Sequence, residues 1–482
     1  MRTISVRQRR QAVVRRHHLG GTAQTPEAVT RALLALHATD PASVYLSVLA
    51  RSTRSTLADV SAAMYEQRSL VRWMAMRRTL FLFARADVPM VQAAVSTPLA
   101  AMLRRRLISQ LERNSTEPPI DGDVTRWLAD LEARVERALQ VRGTATGAQL
   151  SADEPALRTF VPPRVPSDRP QNVTSTLLTL MSAQGRLVRA TPTGPWTSRH
   201  HRWEPVQQWW PGGLPQLETG QAQRDLAELW LTRFGPATAE DLQWWTGWNK
   251  STVHRALSGI AVEDVDLHGE AGIALRSDDD PGDVATGSPV ATLLPALDPT
   301  PMGWKRRGWL FGIPQHHVFD NRGNIGPTLW WDGEIIGSWA VARSGDIHTA
   351  ILADRGATAR AAVRDAVARL QERLAGAVVT PAIRTPLEQS LGRSRLPATP
   401  RHGPGRGRPG QVNGQTYEPG QQETRRRKQC RGGHVRGVDD ESNGEQHNSE
   451  CGKHFSSLGQ CHEERPTAAH DTTYAAMAAN LT

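Results

Sequence analysis

The 482-residue sequence predicts a mainly α fold with added β structure: three tandem winged-helix domains, a small antiparallel β-barrel with a closing helix, and a disordered tail. Three observations carry this. Residues 235–257, GPATAEDLQWWTGWNKSTVHRAL, read as two helices joined by a tight turn, with Thr238 and Asp241 spaced as a capping box and Gly247 where the chain must turn sharply. The stretch GTATGAQL at 143–150 resembles GPATAEDL at 235–242, which indicates a duplicated module. From about residue 290 the pattern changes to short strands separated by Asn-Arg-Gly-Asn and Asp-Gly turns.

The elements follow in order. Residues 1–120 form the first winged helix with its N-terminal helices: 56–67 is helical, and strands LVRWM and RTLFLF flank Ala75, Met76 and Arg77 as a wing, with Arg77 and Arg78 near its tip. Residues 121–222 form the second. There helix 173–185 stops at Gly185, and LVRATP and HHRWEPV pair around Thr193–Pro195, carrying Arg199, His200, His201 and Arg202. Residues 223–288 form the third, whose second helix opens with Lys250, Ser251, Thr252, His254 and Arg255, followed by strands about Gly269. In readers of duplex DNA the N-terminal part of such a helix enters the major groove. Residues 289–395 form the barrel and a closing helix at 360–375. The tail, 396–482, lacks Trp and is rich in Gly, Gln, Asn, Arg and His, a composition that does not build a core.

Lys plus Arg number 58 against 48 Asp plus Glu, a surplus of ten positive charges, which points to a polyanionic partner and foremost to duplex DNA. The Arg-rich bias fits phosphate and guanine recognition and fits a GC-rich genome equally well. The sequence has no run of 18 apolar residues and no N-terminal secretory pattern, so a cytoplasmic, nucleoid-associated monomer is expected. Its three cysteines, Cys430, Cys451 and Cys461, all lie in the tail. Residues 1–400 therefore hold no thiolate nucleophile or cysteine metal site, and the Cys and His spacing in the tail fits no standard zinc pattern; no metal and no cofactor is expected.

Four segments, LLALHATDPASVYLSVLAR (33–51), MRRTLFLF, LLPALDPTPMGWKRRGW and VFDNRGNIGPTLWWDG, resemble the winged-helix DNA-binding family that contains the AlkZ and YcaQ DNA glycosylases. The likeness spans roughly residues 5–375. It implies a C-shaped protein whose basic channel holds duplex DNA, and whose catalytic members remove alkylated bases or unhook interstrand crosslinks. Those members carry Gln-x-Gln or Gln-x-Asp where this sequence has His37-Ala38-Thr39. Base excision needs a polar group to hold water against the sugar C1′, a task open to a neutral His37 assisted by the Thr39 hydroxyl.

Other readings of these residues stand beside that one. Val29, Leu33 and Leu36 follow helical spacing, which puts His37 on the shoulder of an apolar helix face as a half-buried histidine. Asp40-Pro41 reads as a helix stop, and Tyr45 faces either the channel or the core. Trp244, Trp245 and Trp248 read as core, and the Asp298 of LLPALDP as organiser of a turn in the barrel. Phosphate contact is expected of Arg77, Arg78, Lys250 and Arg255, and also of Arg199, Arg202, Lys305, Arg306 and Arg307; other Arg runs read as solvated helix faces. The rivals to a glycosylase are a non-catalytic or transcription-regulatory DNA-binding protein on the same scaffold, and a scaffold for other proteins.

Overall fold

A computed structural model describes residues 1–113, 115–161, 171–277 and 288–393. The tail expected to be disordered, with its cysteines, lies outside the described residues.

The first residues fix the first long-range link. Arg2–Thr3 pairs in parallel with Val262–Asp266, which pairs antiparallel with Ala271–Leu275. Residues 2–3 thereby complete the sheet of the third helix-hairpin unit. Helix Val6–Arg16 follows, started by a reciprocal Ser5/Gln8 capping box. Helix Pro26–Ala32 leads through Leu34, whose φ of 61° is left-handed, into the short strand Leu36–His37. That strand lies beside the hairpin Leu70–Ala75 and Thr79–Ala84.

Between them runs helix Pro41–Arg51. Asp40 and Pro41 start this helix and do not stop one: Asp40 Oδ1 accepts the Ala42 N–H at 3.3 Å, and the fixed φ of proline suits the first helical position, where its missing N–H costs nothing. A stop and a start share the same dipeptide, so only the following apolar run, VYLSVLA, separated the two readings.

Helices Thr97–Arg113, Val124–Arg142 and Val173–Ala183 pack Leu107, Leu111, Leu131, Val135, Leu139 and Leu177 into one core, closed by the hairpin Leu187–Pro192 and His201–Pro205 through Leu187 and Trp203. Gly185, at φ 76°, turns the chain from helix to hairpin as the sequence predicts. A larger core ignores chain order and gathers Val13, Trp73, Phe83, Trp230, Phe234, Leu242, Trp245, Trp304 and Trp330. Its centre is helix Thr219–Phe234.

The expected barrel is an open sheet instead. Strands Ala291–Leu294, Thr328–Trp331, Glu334–Val341 and Ile347–Ile351 form a four-stranded antiparallel meander whose first and last strands do not pair. Four short strands are too few to enclose a filled interior. Their apolar residues Leu293, Leu329, Ile336 and Trp339 are buried instead against Leu46 and Leu49 and against Val363, Leu370 and Leu374 of the closing helix Gly356–Leu374. Among the described residues no helix is long and apolar enough to cross a membrane, and no group of three His, Cys, Asp or Glu is placed to hold a metal ion.

One polar network ties these parts together. The fully buried Arg51 guanidinium donates to Asp298 Oδ2 at 2.8 Å and Oδ1 at 2.6 Å, to Thr300 Oγ1 at 2.7 Å, and to the carbonyls of His17 (2.9 Å) and Ser47 (3.1 Å). Asp298 also accepts from Ser47 Oγ at 2.9 Å and from the Thr300 N–H at 3.0 Å. Thr300 Oγ1 stands 3.0 Å from His17 Nδ1, while Nε2 of that ring reaches the Arg233 carbonyl at 3.1 Å. Burial first, then the Arg51 charge, holds the His17 ring well below its usual pKa, so it is neutral.

Asp298→Asn leaves the Arg51 charge buried without its counter-ion, and urea unfolding is expected to show a loss of about 3–5 kcal/mol. For His17 the folded pKa lies below the unfolded value, so the unfolded chain takes up a proton first and stability falls as pH drops below the ordinary histidine range. The thermal midpoint is therefore expected to decline from pH 7 to pH 5, with a shallower slope in His17→Gln.

Candidate active site and nucleic-acid interface

His37 sits in an edge strand, not on the shoulder of a helix. The left-handed turn at Leu34 breaks the helical register that Val29, Leu33 and Leu36 suggest. In the strand His37 lies opposite Phe81 and Leu36 opposite Leu82, and the pairing continues through the Ala38 N–H to the Leu80 carbonyl at 2.9 Å. The alternation of strand side chains puts His37 on the face that carries Trp73, Phe81 and Phe83. Its ring meets Phe81 edge-on at 5.3 Å and is only 6% exposed.

Neither ring nitrogen of His37 has a hydrogen-bond partner. Burial, then the charge of Arg77, pushes its pKa down to about 3, so the ring is neutral at physiological pH. An orphaned buried imidazole forfeits the hydrogen bonds it made to water, a cost that marks the position as unusual. Thr39 is half-buried in the bend that follows, and Asp40 is buried, its carboxyl raised by desolvation against the opposing pull of the Ala382 N–H at 2.8 Å, Arg199 and the Ala42 N–H. Tyr45, one of the positions left open by sequence, belongs to the core: it is 1% exposed and packs on Trp196 at 4.9 Å.

The tip of the first hairpin, Met76–Arg78, holds Arg77 and Arg78 at φ 53° and 61°, a conformation that costs most residues of order 1–3 kcal/mol each. The Arg77 guanidinium lies 4.2 Å over the Trp244 ring, and Arg307 covers the same ring at 5.2 Å and Phe319 at 4.9 Å. Gly247 lets the tip approach, since a Cβ there would stand 2.9 Å from Arg77 Cγ and its φ of 75° is left-handed. The tip of the hairpin thus docks on the helix-turn-helix. Arg78 is half-buried, its pKa lowered by burial and by Arg106.

Helix Ala239–Thr246 begins with the expected Thr238/Asp241 capping box, and Asn249 caps helix Lys250–Ser258. Lys250, Ser251, His254 and Arg255 are exposed along one side. Thr252 is not on that surface: it is buried, with its hydroxyl accepting from Arg255 at 3.2 Å, because a residue two beyond Lys250 turns inward on a helix. Lys305 and Arg306 are exposed but engaged, pairing with Glu240 at 3.0 and 2.8 Å, and Arg306 also with Glu270. Their backbone N–H groups both donate to Asp241 Oδ1 at 2.9 Å. Arg199 is exposed on the second hairpin, and Arg202 is half-buried in its returning strand.

The structure brings Arg77, Arg307 and Trp244 together, with the charge of Arg77 acting on His37 and that of Arg199 on the neighbouring Asp40. Sequence reasoning missed Asn249 as a cap and Trp244 as a platform. Trp244 and Trp245 are adjacent and so about 100° apart on a helix; Trp245 is buried, while Trp244 faces the two guanidiniums.

With this geometry established, comparisons place the chain among known proteins. A search of curated proteins finds no match. Among solved structures the chain is similar in fold to Streptomyces sahachiroi DNA glycosylase AlkZ, with a TM-score of 0.59 at 17% identity, covering 79% of this chain and 99% of that one. The sequence profile of the family described as "DNA glycosylase AlkZ-like" matches residues 30–373, a span that includes His37, the first hairpin, the helix-turn-helix and the open sheet, and the chain belongs to that family.

Proposed function

We propose that this protein binds duplex DNA through three winged-helix units and hydrolyses the N-glycosidic bond of alkylated or crosslinked bases. Family membership supports a DNA substrate and glycosylase chemistry. The observation that carries the catalytic assignment is the neutral His37 ring, with two buried nitrogens lacking partners at the position matching the family's glutamine motif. Such a ring has one lone-pair nitrogen and one N–H, and with its pKa at about 3 it accepts a hydrogen bond from a water molecule and orients it, and carries no extra proton to give the leaving base. An alkylated purine already departs as a cation-derived group, so aligning water on C1′ is the main help it needs. The Thr39 hydroxyl supplies a second hydrogen bond to that water, and the exposed Lys250, Ser251 and Arg255 contact backbone phosphates. No metal or cofactor enters the proposal, and the protein acts as a cytoplasmic monomer on the nucleoid.

A non-catalytic DNA-binding role has one observation in its favour, the 6% exposure of His37. Water and sugar reach the ring only if something beside it shifts, and the left-handed Arg77 and Arg78 make the hairpin tip, whose Arg77 charge acts on the ring, the strained element nearby.

Release of 7-methylguanine from an alkylated duplex is expected to fall at least about 10²-fold in His37→Ala with duplex affinity retained, whereas equal release by mutant and parent ends the catalytic assignment. Because His37 stays neutral down to about pH 3, kcat/KM is expected to be flat from pH 5 to 8, without the inflection near 6.5 that an ordinary histidine base produces.

A further inference from the structure

On the opposite face of the first hairpin from His37 lies a cluster of cations without counter-ions. Arg72 pairs across the strand with Leu82, whereas His37 pairs with Phe81, so the two point to different sides of one sheet. Arg72 is 4% exposed; its guanidinium donates to the Ala190 carbonyl of the second hairpin and lies 5.7 Å from the Tyr65 ring, while its Nε has no partner. Arg189 and His201 reach the same place from the second hairpin, both against Trp203, at 5.1 and 4.8 Å from its ring. Arg189 Nε and His201 Nε2 are buried and equally unpartnered. His201 Nδ1 is occupied by the Arg199 carbonyl at 3.1 Å.

Among the described residues no carboxylate pairs with Arg72 or Arg189. The charged and titratable groups facing the cluster are Tyr65, Tyr45 and His200, none of them a carboxylate. Burial, then Arg72, pushes Arg189 down to about 9, and burial, then Arg189 and Arg72, pushes His201 down to about 3. Two guanidiniums brought together out of water without an anion are costly, and an anion between them removes that cost. Arg189 and His201 are half-buried, and Arg72 is the most deeply buried of the three.

We propose that Arg72, Arg189 and His201 form a binding site for a phosphate group at the junction of the first two hairpins. A phosphate presents its oxygens tetrahedrally and so can face two guanidiniums and an imidazole from different directions at once, whereas the two oxygens of a carboxylate lie in one plane. Binding puts a negative charge beside His201 and so draws a proton onto Nε2, which then donates to the anion. The group comes either from the DNA backbone or from free phosphate, and the site is independent of the catalytic role given to His37.

The test follows the His201 ring C–H resonance, assigned by its loss in His201→Gln, through pH titrations of the full chain. Inorganic phosphate is expected to raise the pH of half-protonation of His201 by about 1–3, with sodium chloride at equal ionic strength leaving it in place. Arg189→Gln is expected to weaken the phosphate effect at least about tenfold. If an undamaged duplex produces the same rise and phosphate competes with it, the DNA backbone is the source; if phosphate alone acts, the ligand is the free ion. No rise with either, or an equal rise with chloride, overturns the site, and the parent protein alone delivers that result if Arg189→Gln fails to fold.

Discussion

The architecture depends on a single buried ion pair. Arg51 and Asp298 are both fully buried, 247 residues apart, and their hydrogen bonds reach the turn after the first helix, helix Pro41–Arg51, the loop ahead of Trp304 and, through Thr300 and His17, the end of helix Thr219–Phe234. Every donor of the guanidinium that points inward finds an acceptor. That completeness separates a buried charge that specifies a fold from one that merely destabilises it. With these segments fixed, the Trp-rich core around Trp230, Phe234 and Trp304 has one way to close.

A second constraint is the docking of the first hairpin on the helix-turn-helix. Two consecutive left-handed arginines, a glycine that tolerates close approach and a tryptophan between two guanidiniums make one joint out of residues 76–78, 244–247 and 307. The charge of Arg77 also acts on His37, so the joint and the imidazole share an electrostatic environment. The tip expected to contact DNA as a wing is in part structural, since Arg77 is held on Trp244 of the helix-turn-helix.

Much of this was legible in the sequence where local chemistry decides. The Thr238/Asp241 box, the turns at Gly247 and Gly185 and the two hairpins follow from residue types at fixed spacings. The His37 environment was not legible, because a two-residue strand has no period to read and the turn that breaks the helix is made by Leu34, a residue with no preference for a left-handed conformation. The open sheet was read as a barrel because alternation reports a buried face and not what buries it. The partners of Lys305, Arg306 and Arg72 are likewise long-range, and no local signal distinguishes an arginine paired with Glu240 from one that awaits an anion.

The pairing of Arg2–Thr3 with Val262–Asp266 has a consequence for biosynthesis. Residues 2–3 are the edge partner of a strand made more than 250 residues later. At usual elongation rates they wait about 15–50 s before that strand emerges. Nascent chains must therefore keep this segment out of competing associations throughout that interval, and the helix-turn-helix unit acquires its full sheet only after the two segments have met.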